Sequence, residues 1–338
     1  MTDERDPFSA PFGTLFSNSI TTAVGVGSDY TYGGAAEPLV DLQLHPATHA
    51  LHYGSACFEG LKAYRQPDGG VAIFRLDDHV ARFVQSIGYL RLGVPDGELV
   101  RQMIIDAVKA NAYDTPDSPG ALYIRPTLIG TEPNIGAAAS PSATTLIYIL
   151  NSPVGDYFAG GVRPLTLMVE GSTPRTTPQM GMVKTGANYI MALGITLDAK
   201  RDHMVDQVLF ATDGDITETG ASNFFLVDDQ RIITRNLDSS FLHGVTRASV
   251  ITMAADLGYD IEERAIDVAE LLAWGDGGEV FLSGTAAVIA PVGAVISDGH
   301  KTTFGDGQPG PNTLKLRGAL TDIQSGLAPD THGWLTAV

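Results

Sequence analysis

The 338-residue sequence predicts an α+β fold with two domains. In the first part of the chain, helical patterns lie among β-rich runs, as in folds that pack helices onto a sheet. The stretch "NSPVGDYFAGG" (151–161) contains one proline and three glycines, which favour a connection over a regular element. Beyond it most segments have the residue pattern of strands. We therefore expect a smaller N-terminal domain at 1–150, an interdomain loop at 151–161 and a larger C-terminal domain at 162–338.

The first domain is predicted to contain amphipathic helices. In "LDDHVARFVQSIGYLRL" (76–92), Val80 and Phe83 begin a series of apolar residues at helical spacing. We expect Asp77 or Asp78 to cap the N-terminus of this helix. The other elements expected here are a second helix of the same kind, "GELVRQMIIDAVKANAY" (97–113), and strands at 71–75, near 121–129 and at 144–150.

The second domain is predicted to be mainly β, with helices on its outside. Its strands are expected in "RPLTLMV", "DQVLFAT", "NFFLV", "RIITR", "DIEERAI" and "EVFLSG". Its helices are expected in "TRASVITMAADLGY" and "VAELLAW".

Charge and composition exclude several classes of partner. The formal net charge is −18, from 21 basic and 39 acidic residues, and such a field repels nucleic acid and anionic lipid. The N-terminus has acidic residues where a signal peptide would have basic ones, and no run is long and apolar enough for a membrane span. The single cysteine, Cys57, cannot form an internal disulfide or a thiol cluster for zinc, so we expect no metal and a cytoplasmic location.

One lysine lies in an unusual setting. "GMVKTGANY" (181–189) places Lys184 between glycines, with Tyr189 five residues further on. A lysine amine in a desolvated site is a nucleophile that forms Schiff bases with carbonyl compounds. The glycines on both sides would let a bulky group approach the side-chain nitrogen of Lys184. An ordinary solvated lysine in a loop is the alternative.

Further residues could hold a cationic ring or an anion. Glu218, in "DGDITETGASNFFLV", precedes an apolar strand and could hold a ring nitrogen, or it could be an exposed turn residue. "FLHGVTRASV" brings Val245 and Thr246 to a helix N-terminus, where backbone N–H groups bind anions. "FLSGTAAV" brings Thr285 and Ala286 to the end of a strand. Helix capping alone would also explain the glycine turns.

Two arginines are candidate ligands for phosphate or carboxylate groups. Arg82 lies beside the apolar stripe of the first helix, three residues after His79, and could bind a phosphate or extend to solvent. Strand alternation places Tyr123 and Arg125 on one face, where they could bind a substrate carboxylate. A solvated pair on an edge strand is the alternative.

Together these motifs resemble the pyridoxal-phosphate aminotransferases of fold type IV, and within them the branched-chain amino acid aminotransferases. The similar segments span nearly the whole chain and follow the family order. They are "LHPATHALHYGSACFEGLKAYR" (44–65), "FRLDDHVARF" (74–83), "YIRPTLIGTEPNIG" (123–136), "SPVGDYFAGG" (152–161), "KTGANY" (184–189), "ITETGASNFF" (216–225), "GVTRAS" (244–249) and "SGTAAVIAPVG" (283–293).

The resemblance implies a small α/β N-terminal domain, a β-barrel-like C-terminal domain carrying Lys184, and transamination between leucine, isoleucine or valine and 2-oxoglutarate. Lys184 would form the Schiff base with pyridoxal 5′-phosphate and shuttle the proton, while Glu218 would hold the ring nitrogen. The other cofactor-binding residues implied are Arg82, Tyr189, Leu242, Val245, Thr246 and Thr285. The substrate-binding residues implied are Tyr53, Phe58, Tyr123, Arg125, Val154, Tyr157, Thr285 and Ala286, some of them contributed across a homodimer or higher homo-oligomer.

Several alternatives remain open at this point. Relatives of the same fold act on D-amino acids, on aminodeoxychorismate as lyases, or on (R)-amines. A more distant alternative is a non-catalytic α/β protein that binds an anion. One departure from the family pattern is Ala187, which stands where the lysine motif usually has a second glycine.

Overall fold

A computed structural model of the chain describes residues 6–158, 161–275 and 277–338. The chain forms two compact units, one made of Met1–Ala159, Val183–Gly186 and Ile323–Val338, the other of Gly160–Met182 and Ala187–Asp322. Each unit combines a sheet with helices, so the predicted α+β class is confirmed. Within the described residues, no helix is long and apolar enough to cross a membrane.

The first unit is built on a nine-stranded sheet with the order β17-β6-β5-β7-β8-β1-β2, to which β3 is added beside β1 and β4 beside β7. Its strands are β1 (Ser19–Val26), β2 (Asp29–Tyr32), β3 (Glu37–Pro38), β4 (Ala56–Phe58), β5 (Leu61–Arg65), β6 (Val71–Phe74), β7 (Ala121–Gly130), β8 (Thr144–Val154) and β17 (Leu335–Ala337). Its helices are α1 (His49–Tyr53), α2 (Leu76–Tyr89) and α3 (Gly97–Ala110).

The core of this unit lies between the sheet and the helices α2 and α3. The apolar stripe predicted for α2 is buried, with Phe83 and Ile87 fully enclosed. These side chains belong to the same cluster as Met103 of α3 and Ile147 and Ile149 of β8. Removing this apolar area from water stabilises the packing of both helices on the sheet.

The second unit is built on an eight-stranded mixed sheet with the order β10-β9-β15-β14-β11-β12-β13, and β16 pairs with β15. Its strands are β9 (Leu165–Glu170), β10 (Gln207–Phe210), β11 (Asn223–Val227), β12 (Arg231–Thr234), β13 (Asp260–Glu263), β14 (Glu279–Gly284), β15 (Val288–Ser297) and β16 (His300–Thr303). Its helices are α4 (Gly186–His203), α5 (Val245–Asp256), α6 (Val268–Ala273) and α7 (Pro311–Gln324).

The central strands of this sheet are buried on both faces, and aromatic side chains pack across them. Phe225 of β11 lies opposite Phe281 of β14, and their rings stack with centroids 4.7 Å apart. Both rings are fully buried. Such aromatic pairs add to the free energy gained by burial.

Two sequence-based expectations about local structure are wrong. The stretch 151–161 does not begin as a loop, because β8 continues to Val154 and pairs along β7 as far as the Ala121–Val154 pair. The N-cap of α2 is Arg75, in the left-handed region with φ of 55°, while Asp77 and Asp78 lie in the first turn. Asp78 instead accepts a hydrogen bond of 2.6 Å from Arg75.

The two units also differ from the predicted domain boundaries. The segment with Lys184 groups with the first unit because the Phe58 amide donates a 3.0 Å hydrogen bond to the Lys184 carbonyl. The C-terminal tail groups with the same unit because β17 pairs antiparallel with β6. Both segments join the sheet through main-chain hydrogen bonds, which sequence periodicity does not reveal.

Candidate active site

The main chain around Lys184 is fixed by three hydrogen bonds within the first unit. The Phe58 amide donates to the Lys184 carbonyl at 3.0 Å, and the Thr185 hydroxyl donates to the Ala56 carbonyl at 2.8 Å. The Lys184 amide donates to the Ser86 hydroxyl at 3.2 Å. We call this arrangement of β4, Ser86 and the lysine segment the lysine clamp. It fixes the position of the Lys184 Cα, so that only the side chain has to move to bring the Nζ to a ligand.

Phe58 contacts two of the three cations that the sequence analysis selected in this unit. The Lys184 Nζ lies 5.1 Å from the centroid of the Phe58 ring, and the Arg125 guanidinium lies 4.6 Å from the same centroid. Arg125 Nη2 also donates a 2.9 Å hydrogen bond to the Tyr123 hydroxyl. The predicted shared face of Tyr123 and Arg125 is therefore present, and the structure brings it together with Lys184 around one aromatic ring.

An N-terminal aromatic residue joins this group, and the sequence analysis missed it. The Phe12 ring meets Tyr123 edge to face at 5.1 Å between centroids and Tyr157 at 6.2 Å. The segment before it is anchored because the Gly155 amide donates a 2.9 Å hydrogen bond to the Pro7 carbonyl. Phe12 lies more than 100 residues from both tyrosines in sequence, so no local pattern could place it there.

Arg82 is part of a buried charged cluster on the inner face of α2. Its Nε and Nη2 donate to the two carboxylate oxygens of Glu59 at 2.6 and 2.8 Å, and His79 Nδ1 lies 2.9 Å from Glu59 Oε2. Burial alone would raise the pKa of Glu59, but Arg82 and His79 hold it well below its usual range. Burial lowers the pKa of His79. The neutral ring therefore donates a hydrogen bond from its Nδ1–H group to the Glu59 carboxylate.

This cluster explains a spacing that the sequence showed but did not explain. His79, Arg82 and Ser86 lie three and four residues apart, so they share one face of α2. His79 and Arg82 hold Glu59, while Ser86 belongs to the lysine clamp. The sequence analysis selected neither Glu59 nor Ser86 as a site residue. Helical spacing from Arg82 could have identified Ser86, whereas Glu59 comes from the turn between β4 and β5.

The remaining residues predicted in the first unit occupy separate positions. Tyr53 ends α1 and donates a hydrogen bond to the Ile135 carbonyl, with its ring packed on His49. Val154 is buried at the end of β8. Tyr157 follows that strand and is partly exposed.

In the second unit, Glu218 is buried and paired with an arginine. Arg175 Nη1 lies 2.7 Å from Glu218 Oε1, and the two side chains are 3% and 1% exposed. The Leu242 amide donates to the same oxygen at 3.0 Å, while the Asn223 side-chain amide lies 3.4 Å from Oε2 and also donates to the Leu242 carbonyl. Glu218 is therefore a buried, hydrogen-bonded carboxylate, and the alternative of an exposed turn residue is wrong.

Arg175 also contacts Tyr189. Its guanidinium carbon lies 5.8 Å from the centroid of the Tyr189 ring, and its Nε donates to the Gly220 carbonyl at 3.2 Å. Next to Tyr189, the Asn188 side chain accepts from the Thr176 hydroxyl and donates to the Met180 carbonyl, at 2.7 and 2.8 Å. The loop that carries Arg175 is thus fastened to the start of α4.

The N-terminus of α5 has the features of an anion site. The helix starts at Val245 and Thr246 behind Gly244, and no side chain caps its first amides. A Cβ added to Gly244 would lie 2.0 Å from the Asn223 side-chain oxygen, so a larger residue would displace an amide that is bonded to Glu218 and to the Leu242 carbonyl. An uncapped helix start presents N–H groups and the positive end of the helix dipole, which suit a phosphate.

Thr285 and Ala286 lie in the turn between β14 and β15. Arg317 Nη1 of α7 donates to the Ala287 and Ile289 carbonyls at 2.5 and 2.8 Å, on either side of Val288. Val288 has a φ of 62°, which is rare for a β-branched residue and marks a constrained backbone.

Residues 56–295 match the family model of amino-transferase class IV. The chain belongs to this family. It is 39% identical to a probable branched-chain-amino-acid aminotransferase of Streptomyces coelicolor, over 96% of this chain and 91% of the relative. It is 38% identical to a branched-chain-amino-acid aminotransferase of Mycolicibacterium smegmatis, over 92% of this chain and 88% of the relative.

Solved structures of this aminotransferase family are similar as well. A T.th. branched-chain amino acid aminotransferase with pyridoxamine 5′-phosphate matches with a TM-score of 0.79 and 29% identity, over 95% of this chain and 99% of that chain. The same enzyme complexed with N-(5′-phosphopyridoxyl)-L-glutamate matches with a TM-score of 0.77, at the same identity and coverage.

The residues of this chain suit a pyridoxal phosphate cofactor. The buried carboxylate of Glu218 suits a protonated pyridine nitrogen, because a carboxylate has about four acceptor positions and can accept a ring N–H beside its protein partners. The uncapped start of α5 suits a phosphate group. A half-buried lysine amine packed against Phe58 suits nucleophilic attack on a carbonyl carbon of the cofactor.

Proposed function

We propose that the chain transfers the amino group of branched-chain L-amino acids (leucine, isoleucine and valine) to 2-oxoglutarate, with pyridoxal 5′-phosphate as cofactor. The products are branched-chain 2-oxo acids and L-glutamate. Relatives with this named activity cover most of the chain at well over 30% identity, which supports the reaction. Its substrates are small molecules.

The observation that carries the proposal is the arrangement around Phe58. Its ring contacts the Lys184 amine and the Arg125 guanidinium at 5.1 and 4.6 Å. A transaminase needs an amine at the reacting carbon and must accept both an aliphatic side chain and a second carboxylate. The aromatic wall and the nearby arginine offer both kinds of contact.

Lys184 acts on the proton at the substrate Cα. When bound, the cofactor supplies an electron-accepting ring that stabilises negative charge on that carbon. Lys184 would take this proton with its Nζ, as a general base, and deliver it to C4′ of the cofactor, as a general acid, and the reverse transfer would serve the 2-oxo acid. The lysine clamp keeps the Cα of Lys184 in place while the side chain moves.

Arg125 and the aromatic residues distinguish the two kinds of substrate. The γ-carboxylate of glutamate binds to the Arg125 guanidinium, which the Tyr123 hydroxyl orients. The aliphatic side chains of leucine, isoleucine and valine pack against Phe58, Tyr157 and Phe12. Tyr53 and Val154 complete the proposed pocket, and Thr285 and Ala286 bind the α-carboxylate through backbone N–H groups.

The proposed cofactor ligands beside Lys184 have separate roles. In the second unit, Glu218 holds the pyridine nitrogen, Tyr189 donates to the ring hydroxyl, Leu242 packs on the ring, and Val245 and Thr246 bind the phosphate. Thr285 and Arg82 also belong to the proposed phosphate site. The contact of Arg82 with both oxygens of Glu59 supports this role, because it holds the guanidinium rigid before any ligand binds.

The test is an absorption spectrum of the purified protein with pyridoxal phosphate, taken before and after borohydride. We expect a coloured band that borohydride removes by fixing the cofactor to Lys184, and that L-leucine bleaches. Lys184→Ala should lose the band and at least about a hundredfold in rate. Lys109→Ala, which alters an exposed lysine of α3, serves as the matched control.

Other results of this test would change the proposal. Bleaching by D-alanine or an (R)-amine but not by L-leucine would replace the substrate class. No coloured band after saturation with pyridoxal phosphate would contradict the transaminase function itself and favour an anion-binding protein.

We also propose that the active form is a homodimer. The helix α4 exposes four large apolar side chains in the single chain, and large apolar patches mark interfaces. They are Ile190, Met191, Leu193 and Leu197. Light scattering should give twice the mass of one chain, and Leu193→Glu with Leu197→Glu should reduce it. A cytoplasmic location is likewise a proposal, and it rests on the sequence alone.

A further inference from the structure

Arg175 contacts two residues to which the proposed function gives cofactor roles. Its guanidinium lies 2.7 Å from Glu218 Oε1 and 5.8 Å from the centroid of the Tyr189 ring. It comes from the loop before α4, and its side chain is almost completely buried. A buried guanidinium is retained in a fold only where its charge is compensated, and here Glu218 compensates it.

The pair fixes both the charge and the orientation of Glu218. A proton on Glu218 would leave the Arg175 charge buried and unpaired, which is strongly unfavourable, so the pair favours the ionised carboxylate. Arg175 and the Leu242 amide together hold Oε1, at 2.7 and 3.0 Å. The orientation of the carboxylate is therefore set by an ion pair and a hydrogen bond on Oε1, with the Asn223 amide on Oε2.

We propose that Arg175 is a positioning residue for the cofactor, which acts through Glu218 to keep a shared proton on the pyridine nitrogen rather than on the carboxylate. This inference rests on the proposed function. A pyridine nitrogen and a carboxylate compete for one proton when they meet in a dry site. A cation beside the carboxylate lowers its affinity for that proton, so the proton stays on the ring and the carboxylate remains an anion.

The consequence for the reaction is electronic. A protonated ring withdraws more electron density than a neutral one, so it stabilises negative charge at the substrate Cα better. It also makes the C=N linkage between Lys184 and the cofactor more acidic. The pH at which this linkage loses its proton, visible in the absorption band, therefore reports the state of the ring nitrogen independently of turnover.

The experiment is a pH titration of that band in the protein saturated with pyridoxal phosphate. In Arg175→Gln we expect the midpoint to rise by about one pH unit, because the ring loses part of its proton. Arg175→Lys keeps the charge and should keep the midpoint within about 0.3 pH units. A midpoint in Arg175→Gln equal to that of the original protein would overturn the proposal and leave Arg175 a structural residue.

Arg235 provides the matched control. It lines the same pocket of about 430 Å³ as Arg175, and it pairs with Asp215 and Asp238 rather than with Glu218. Arg235→Gln should leave the midpoint unchanged. An equal rise in Arg235→Gln would show that any loss of positive charge in this region has the effect, which also contradicts the proposal.

A second variant covers the case in which Arg175→Gln does not fold. Arg175→Gln combined with Glu218→Gln removes both charges and so avoids a buried unpaired ion. Because Arg175 acts through Glu218, the double variant should titrate like Glu218→Gln alone. A difference of more than about half a pH unit would overturn the proposal. Absence of any band in the original protein would instead contradict the proposed function, so the two failures are distinguishable.

Discussion

Two arginine–glutamate pairs among the described residues have both side chains buried, and they are built differently. In the first unit, Arg82 contacts both oxygens of Glu59, and His79 adds a third contact. In the second unit, Arg175 contacts one oxygen of Glu218, and the other oxygen has a side-chain amide at 3.4 Å. In the first pair the arginine holds both carboxylate oxygens. In the second the arginine contacts one oxygen only, and backbone and side-chain amides complete the contacts of the carboxylate.

The largest expected effect is on folding stability, and it tests the structural role of the first pair. Glu59→Gln leaves the buried Arg82 without its negatively charged partner, and we expect a loss of about 3–5 kcal/mol in the free energy of unfolding. Glu218→Gln should lose less, because only one short contact to arginine is removed. Denaturant unfolding of the cofactor-free proteins measures both. Equal losses would remove the distinction between the pairs.

A surface pair provides the scale for that measurement. Arg101 contacts Asp77 at 2.9 Å, but Asp77 is 76% exposed. Asp77→Asn should change the free energy of unfolding by less than about 1 kcal/mol, because exposed ion pairs are screened by water and salt.

The second effect concerns acid stability and depends on His79. Burial lowers the pKa of His79, so on acidification the unfolded chain takes up a proton below about pH 6.5 while the folded chain does not. The contribution of the neutral His79 to the free energy of unfolding is therefore fully present above that pH, and it is lost as the pH falls. The depressed pKa of Glu59 adds a loss of the same sign below about pH 4.5.

The measurement is a series of melting temperatures between about pH 7.5 and pH 5, for the original protein and His79→Gln. We expect the variant to start lower but to fall less over this range. Parallel curves would show that His79 carries no proton-linked stability.

The third effect separates specificity from cofactor chemistry. Phe12→Ala removes an aromatic contact from Tyr123 and Tyr157, and we expect KM for L-leucine to rise about tenfold, since lost apolar contacts of this size are worth ~1–3 kcal/mol. The titration of the cofactor band should stay unchanged, in contrast to Arg175→Gln. A shift of the band in Phe12→Ala would mean that the two regions are not functionally separate.

The smallest effect is expected at Ala187, where the lysine motif departs from its usual form. Ala187 is exposed in the first turn of α4, so its methyl group crowds nothing around Lys184. Ala187→Gly should lower the free energy of unfolding by no more than about 1 kcal/mol, through helix propensity, and leave kcat within about twofold. A large change in kcat would show that the methyl group shapes the site.

Local patterns predicted the regular elements well where packing agrees with periodicity. The buried stripe of α2 and the shared face of Tyr123 and Arg125 follow directly from spacings of three to four and of two. The same logic failed at Pro153, because pairing along β7 extends β8 through a residue that usually ends strands.

The site residues that the sequence analysis missed depend on contacts between distant segments. Glu59 matters because α2 places His79 and Arg82 against it, 20 and 23 residues further along the chain. Arg175 comes from a loop with no periodic pattern, and its role emerges only once Glu218 is seen 2.7 Å away. Residue spacing indicates which face of an element a side chain occupies, but not which distant segment will meet it.

The lysine clamp affects which substitutions this enzyme can accept during evolution. At β4 its bonds come from the amide of Phe58 and the carbonyl of Ala56, which any residue other than proline at position 58 can supply. Side chains at these two positions can therefore vary without moving the reactive lysine. Since the Phe58 ring is also a proposed wall of the substrate pocket, substitutions there can select new substrates while the lysine stays in register. The fold thereby separates a side chain proposed to set substrate preference from the backbone that anchors the proposed reactive lysine.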